Sequence, residues 1–326
     1  MFPGLMALLD RNAGLARRAD LTGLGLTDAE IARLIRSRRL VAVRRGVYAD
    51  GAVWSAADSF HDRPALLARA VHMTTLTDHV MSHHSAAALL RLPTLQPPDG
   101  LQHVTRPDVH GGRTEHGVKH HVAPYHPDQV VEVDQVPCLD RARTALDIAR
   151  EHGYRHGLVA ADGALRSGCS RADLAAAAEP MRNWPQVTTV RRVVEGADPG
   201  AESVGETLAR ELVEELGIGR PQTQFVVTDG SRIVWCDLRV GRQIFEFDGL
   251  VKYLPVEAGG VADRPPEEVV WDEKRRQDFI CSFKLGVSRI IWEDFWGSAR
   301  RRAKVRLRRE YDDTVARFGT DISDLL

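Results

Sequence analysis

Aromatic side chains are scarce in this chain of 326 residues, at 6% of the total, and there are only four cysteines. No stretch approaches the roughly 18 apolar residues needed to cross a bilayer as a helix. Net charge is nearly absent, at −1, so the chain is no polycation. Any nucleic-acid surface must come from local segregation of charge. Cys138, Cys169, Cys236 and Cys281 lie far apart, with neither CxxC nor zinc-ligand spacing. They are expected to be reduced and mostly buried thiols. The first residues, MFPGLMALLDRNAG, lack a basic n-region and lose their apolar character at Asp10, unlike a signal peptide. These absences together imply a cytoplasmic protein with no membrane partner.

What is present is a globular composition, 43% apolar and 27% charged. The length allows two or three domains at roughly 100–200 residues each. Composition shifts suggest boundaries. Residues 1–55 hold nine arginines against five acids, residues 56–195 hold all thirteen histidines, and residues 196–326 follow the turn-forming Ala197-Asp198-Pro199-Gly200. The expected fold class is α/β and multi-domain. It comprises an N-terminal winged helix, an α+β middle domain, and a C-terminal restriction-endonuclease-like mixed sheet flanked by helices.

In the first segment, Leu15–Thr22 reads as a short helix, and Gly23 and Gly25 supply a tight turn. Thr27 is a good N-cap, and Glu30 three residues on completes a capping box. Ile31, Leu34 and Ile35 give the next helix an apolar face, leaving Arg33, Arg36 and Arg38 on the rest of its surface. Residues 40–49 read as two strands joined by Arg44-Arg45-Gly46. This is the plan of a winged helix, with the second helix in the major groove and the hairpin on phosphate. The expected DNA contacts are Arg33, Arg36, Arg38, Arg39, Arg44 and Arg45. The string from Ala19 to Ala49 resembles the N-terminal winged helix of AbiEi-type antitoxins of type IV toxin–antitoxin systems. That resemblance implies an often autorepressing DNA-binding module and a cognate toxin as partner.

The middle segment reads as helices at 82–90, 141–150 and 156–166, with strands at 101–106 and 117–122. SHHSAAALLRLP and the later Arg143–Asp147 are similar to the middle part of the same family, which implies no catalytic role. The histidine pairs do not form a zinc motif: His79 and His83 lack the Glu of HExxH, and His120 and His121 point to opposite faces of a strand. Surface or packing histidines are expected.

The third segment opens with an amphipathic helix, 201–216, followed by strands at 224–228, 233–240 and 243–248. With a two-residue turn at Gly241-Arg242, Leu238 faces Phe245 and Asp237 faces Glu246. Alternation then places Asp237, Glu246 and Asp248 on one face. Opposed carboxylates repel unless a cation sits between them, and oxygen ligands suit Mg²⁺ or Mn²⁺. The alternative is a hairpin whose acids are paired with basic side chains.

Glu206, Asp237, Glu246-Phe247-Asp248-Gly249 and Lys252-Tyr253, with a later helix and strand, resemble the DUF559 and very-short-patch-repair-like branch of PD-(D/E)XK nucleases. The resemblance implies catalytic roles for Glu206, Asp237, Glu246 and Lys252. Asp248 stands where the motif has lysine. The basic tail 298–309, with Arg301, Arg302 and Lys304, suits a phosphate backbone. Two readings stay open. One is a Mg²⁺-dependent DNA endonuclease or nickase. The other is a non-enzymatic antitoxin or autorepressor with a degenerate nuclease fold.

Overall fold

The computed structural model describes residues 3–97, 99–107, 111–249 and 266–325. The chain forms two compact units, residues 1–197 and 198–326. The division falls two residues past 195, where the composition of the chain shifts. The one expected near 55 is not a break between compact units.

The first unit begins α1 (Pro3–Arg11), β1 (Leu15–Arg17), α2 (Arg18–Gly23), α3 (Asp28–Arg36), β2 (Leu40–Arg44) and β3 (Val47–Asp50). The three strands form an antiparallel sheet in the order β1-β3-β2. Leu15–Arg17, expected as helix, is a strand because it pairs with Val47–Ala49. Tertiary pairing overrides local propensity here. Thr27 caps α3 as expected: its hydroxyl accepts from the Glu30 amide, and the Glu30 carboxylate accepts from the Thr27 amide at 2.8 Å. Ile31 and Leu34 pack with Leu5, Leu9, Leu21 and Leu40.

Next come α4 (Gly51–Ala56) and α5 (Asp62–Thr74). Leu66 and Ala70 of α5 share a core with Leu15, Val47 and Ala49, so α5 buries one face of the three-stranded sheet. This shared core joins the N-terminal segment to the middle one.

The rest of the unit is β4 (Val80–Met81), α6 (His83–Leu89), β5 (Gln102–Arg106), β6 (Arg113–Glu115), β7 (Val118–Val122), β8 (Val130–Val133), β9 (Val136–Leu139), α7 (Arg141–His152), α8 (Tyr154–Arg166), α9 (Arg171–Ala178) and α10 (Val187–Gly196). Its strands form a mixed sheet in the order β6-β7-β5-β4-β9-β8. An alanine-rich core from α6, α7 and α8 packs against it. Within that core Arg143 is 1% exposed. It is held by Asp147 at 2.9 Å and by the Pro124 carbonyl and Gln129, both at 3.1 Å. A buried guanidinium requires partners of this kind.

The second unit runs α11 (Val204–Glu214), β10 (Gln222–Thr228), β11 (Ile233–Val240), β12 (Gln243–Asp248), α12 (Pro266–Ser282), β13 (Gly286–Ile291) and α13 (Gly297–Phe318). Its sheet has the order β10-β11-β12-β13, antiparallel except for the last pair. On one face Gln243 bonds Ser288 and Thr314, and Ser288 bonds Glu310, which ties the sheet to α13. On the other face Ile244, Phe225, Val227 and Cys236 pack on Ile280 of α12. The fold is thus mixed α/β with helices on both faces of the C-terminal sheet, as expected. Burial on both faces is what such apolar strands require. Among the described residues no helix is long and apolar enough to cross a membrane, and all four cysteines are free.

Candidate nucleic-acid interface and acidic site

Helix α3 presents its apolar stripe inward, so its arginines fall outside. Arg33, Arg36, Arg38, Arg39 and Arg45 are all exposed. None of them makes a salt bridge among the described residues, whereas neighbouring Arg17 and Arg18 are bound to Asp20 and Asp28. Arg38 takes a left-handed conformation at φ 57°, which turns the chain from α3 into β2.

Arg44 departs from the expectation of a DNA contact. Its Nε donates to Thr74 Oγ1 and one terminal nitrogen to the His116 carbonyl, both at 3.0 Å. It is half-buried, and burial lowers its pKa. Arg44 pins the hairpin to α5 and to the turn before β7, and the tip that remains for a ligand is Arg45-Gly46.

In the second unit the hairpin register is as predicted at Val240↔Gln243, Arg239↔Ile244 and Leu238↔Phe245. The predicted continuation, Asp237 opposite Glu246, is not among its ladder pairs. Instead the Asp237 carboxylate accepts from the main-chain amide of Phe247 at 2.8 Å. Cys236 hydrogen-bonds Glu246, and burial together with that carboxylate pushes the thiol up to about 12. The pleat therefore changes phase at Asp237. The adjacent strand is irregular at the same level, where Gln224 has φ 50° and is missing from an otherwise continuous register. Simple alternation cannot carry through such a point.

Glu246 turns toward α12 and is 3% exposed. Arg276 takes both of its oxygens, one at 3.0 Å and the other closer. Burial lowers the Arg276 pKa, and the Glu246 carboxylate more than offsets this and raises it. Asp248 lies 3.5 Å from Arg289, which also binds Glu273. Glu246, Arg276, Glu273, Arg289 and Asp248 form an alternating chain of charge. Phe247 turns the opposite way, its ring lying where a Cβ on Gly205 of α11 would be.

Glu206 is on that α11 side. Its carboxylate accepts from the Glu202 amide at 2.7 Å and the Ser203 hydroxyl at 2.8 Å, and Gln224 lies 3.4 Å away. Glu206 and Glu246 are thus committed to opposite faces of the sheet. Lys252 lies outside the described residues.

The basic tail is helical, as expected, but much of its charge is neutralised. Arg300 binds Glu211 and Glu215, and Lys304 binds Glu215 at 3.3 Å. Arg306 binds Asp294, and Arg308 binds Asp312. Arg301 and Arg302 are exposed and make no salt bridge among the described residues.

The histidines were expected at the surface or as separate packing groups. Several instead converge inside the first unit: His83, His84, His103, His121, His152 and His156 lie within ring-contact distance of at least one other. Their spacings, from 1 to 31 residues between successive members, show no motif. Only the folding of α6, β5, β7, α7 and α8 brings them together. His121 joins this group and His120 points away, the one part of the arrangement that strand alternation foretold.

The chain was compared with protein-family models and with curated proteins, and neither comparison gives a match.

Proposed function

We propose that this is a DNA-binding protein that reads duplex DNA through α3 and the β2–β3 turn. The observation that carries this reading is the arrangement of α2 and α3 between β1 and β2, on a sheet ordered β1-β3-β2, with Arg33, Arg36, Arg38, Arg39 and Arg45 left outward and unbridged. A helix held by such a sheet fits the major groove, and the arginines supply phosphate contacts. The resemblance to AbiEi-type antitoxins agrees with it and adds an autorepressing role with a toxin as partner.

For the second unit the geometry favours the non-enzymatic reading. Its order of helix, three strands, helix and strand fits the resemblance to PD-(D/E)XK nucleases. The acids as arranged do not fit Mg²⁺ or Mn²⁺. Both Glu246 oxygens are occupied by Arg276, Asp237 accepts a main-chain amide, and Glu206 serves the other face. An arginine fills the place of the cation. The endonuclease reading retains one supporting observation, the approach of Glu206 to Gln224 at the irregular level of Asp237.

The test pairs two assays. Binding to a duplex library at several salt concentrations should give a steep salt slope. Arg36→Ala with Arg45→Ala should reduce that slope by about 2, because each phosphate no longer neutralised removes about 0.9 from it. Arg44→Ala should change it little. An unchanged slope in the double variant overturns the winged-helix reading. Nicking of supercoiled plasmid with Mn²⁺, abolished by Asp237→Asn, would restore the endonuclease.

A further inference from the structure

The histidine group in the first unit carries an inference independent of DNA binding. Two sets of three histidines can each offer one ring nitrogen, all within 4.8 Å: His83, His103, His121 and His84, His103, His152. The first set satisfies itself by hydrogen bonds. His103 Nδ1 is 2.9 Å from His121 Nε2, and His83 Nδ1 is 3.0 Å from Ser82 Oγ. His83 and His121 stack with ring centres 3.8 Å apart.

The second set is different. His84 Nδ1, His103 Nε2 and His152 Nε2 are buried, and none has a hydrogen-bond partner among the described residues. His84 is 7% exposed and His103 is 0%. The tautomer of His84 follows from its neighbour. Its Nε2 lies 3.2 Å from the Leu95 carbonyl, which can only accept, so Nε2 carries the hydrogen and Nδ1 a bare lone pair. With His103 Nδ1 in its bond to His121, Nε2 is the nitrogen left over. It lies 4.0 Å from Asp99 Oδ1. Asp99 forms a third possible ligand set with Glu151 and His152.

An orphaned buried polar atom costs about 1–3 kcal/mol, and three in one histidine group call for a common partner. Their chemistry selects it. Imidazole nitrogens suit zinc-like ions, whereas Mg²⁺ and Ca²⁺ take oxygen. We propose that His84, His103 and His152 bind a zinc-type divalent ion, with Asp99 as the fourth ligand. The Leu95 carbonyl and His121 orient the first two rings, the role that outer partners usually play around a metal-bound histidine. Burial holds His84 down to about 3 and His103 to about 4, and it lowers His152, so the rings are neutral at pH 7 as ligands must be.

The full-length chain, stripped with a chelator, is to be titrated with Zn²⁺ by calorimetry and with Co²⁺ by visible absorption. One ion per chain is expected, with the intense bands of four-coordinate Co²⁺ and a rise in melting temperature with Zn²⁺. His152→Gln, at the end of α7, and Asp99→Asn, at a partly exposed carboxylate, should each weaken binding by about 10-fold or more. His126→Gln, at an exposed histidine outside the group, should leave it unchanged. The variants are first compared by circular dichroism, and Asp99→Asn decides if His152→Gln does not fold. Absence of Co²⁺ bands in the wild type overturns the proposal. So does equal affinity in a folded His152→Gln or Asp99→Asn.

Discussion

Both units bury an ion pair, Arg143–Asp147 in the first and Arg276–Glu246 in the second, but only the first also buries a group of histidines. In the first, imidazoles enter the core without charge: His83, His84 and His103 are nearly inaccessible, and burial holds each well below the ordinary histidine value. In the second, full charges enter in pairs, and Glu246 is covered because Arg276 comes with it. A neutral base brings no charge into the core until protons are plentiful. An ion pair costs desolvation at every pH and tolerates the loss of neither partner. The two units should therefore fail under different insults.

Acid should separate them most. The unfolded chain protonates its histidines near pH 6.5. The folded first unit does so only near 3–4 at His84 and His103. Stability is full above 6.5 and is lost as pH falls through this window. The groups facing these rings do not reverse the sign. Lys119 and Arg150 are cationic, the other neighbours are His121, His152 and His156, and Asp99 and Glu151 raise His103 without restoring it. At pH 5 each of the three buried histidines should cost about 2 kcal/mol in the metal-free protein. Hydrogen exchange followed by mass spectrometry should show the first unit opening before the second, which contains no histidine. Simultaneous opening would break the comparison.

Arg276→Met should damage the second unit by about 3 kcal/mol, because it leaves Glu246 buried and unpaired. The double variant with Glu246→Leu should recover most of that loss in urea denaturation. If the single variant is harmless, the charge chain is not what holds α12 to the sheet. The smallest effect is expected at Arg300→Gln, which loosens α13 from Glu211 and Glu215. It should cost about 1 kcal/mol and less at high salt. The first unit should be indifferent to it.

These contrasts also show what the sequence could disclose. The capping box at Thr27 and Glu30, the hairpin turn at Gly241 and the pairing of Leu238 with Phe245 are local, and local chemistry is written in adjacent residues. The acidic face expected from that local rule fails one residue beyond Leu238 and Phe245. Nothing near Asp237 in the chain announces that the pleat changes phase there, because the cause includes Gln224 on another strand. Arg276, which takes Glu246, is thirty residues away. The histidine group was illegible for the same reason: its members have no common spacing, and they meet only when five elements pack.

The seam between the three-stranded sheet and α5 has a consequence for how the chain can be divided. Leu15, Val47 and Ala49 are roofed by Leu66 and Ala70, and Arg44 is fastened to Thr74. A fragment ending near residue 55 would carry the whole reading head and yet expose its greasy underside. Such a piece would clump rather than serve as a portable cassette. The chain offers a safer cut at 197–198, so exchange of parts between related genes would have to carry the reading head and the histidine-rich body together.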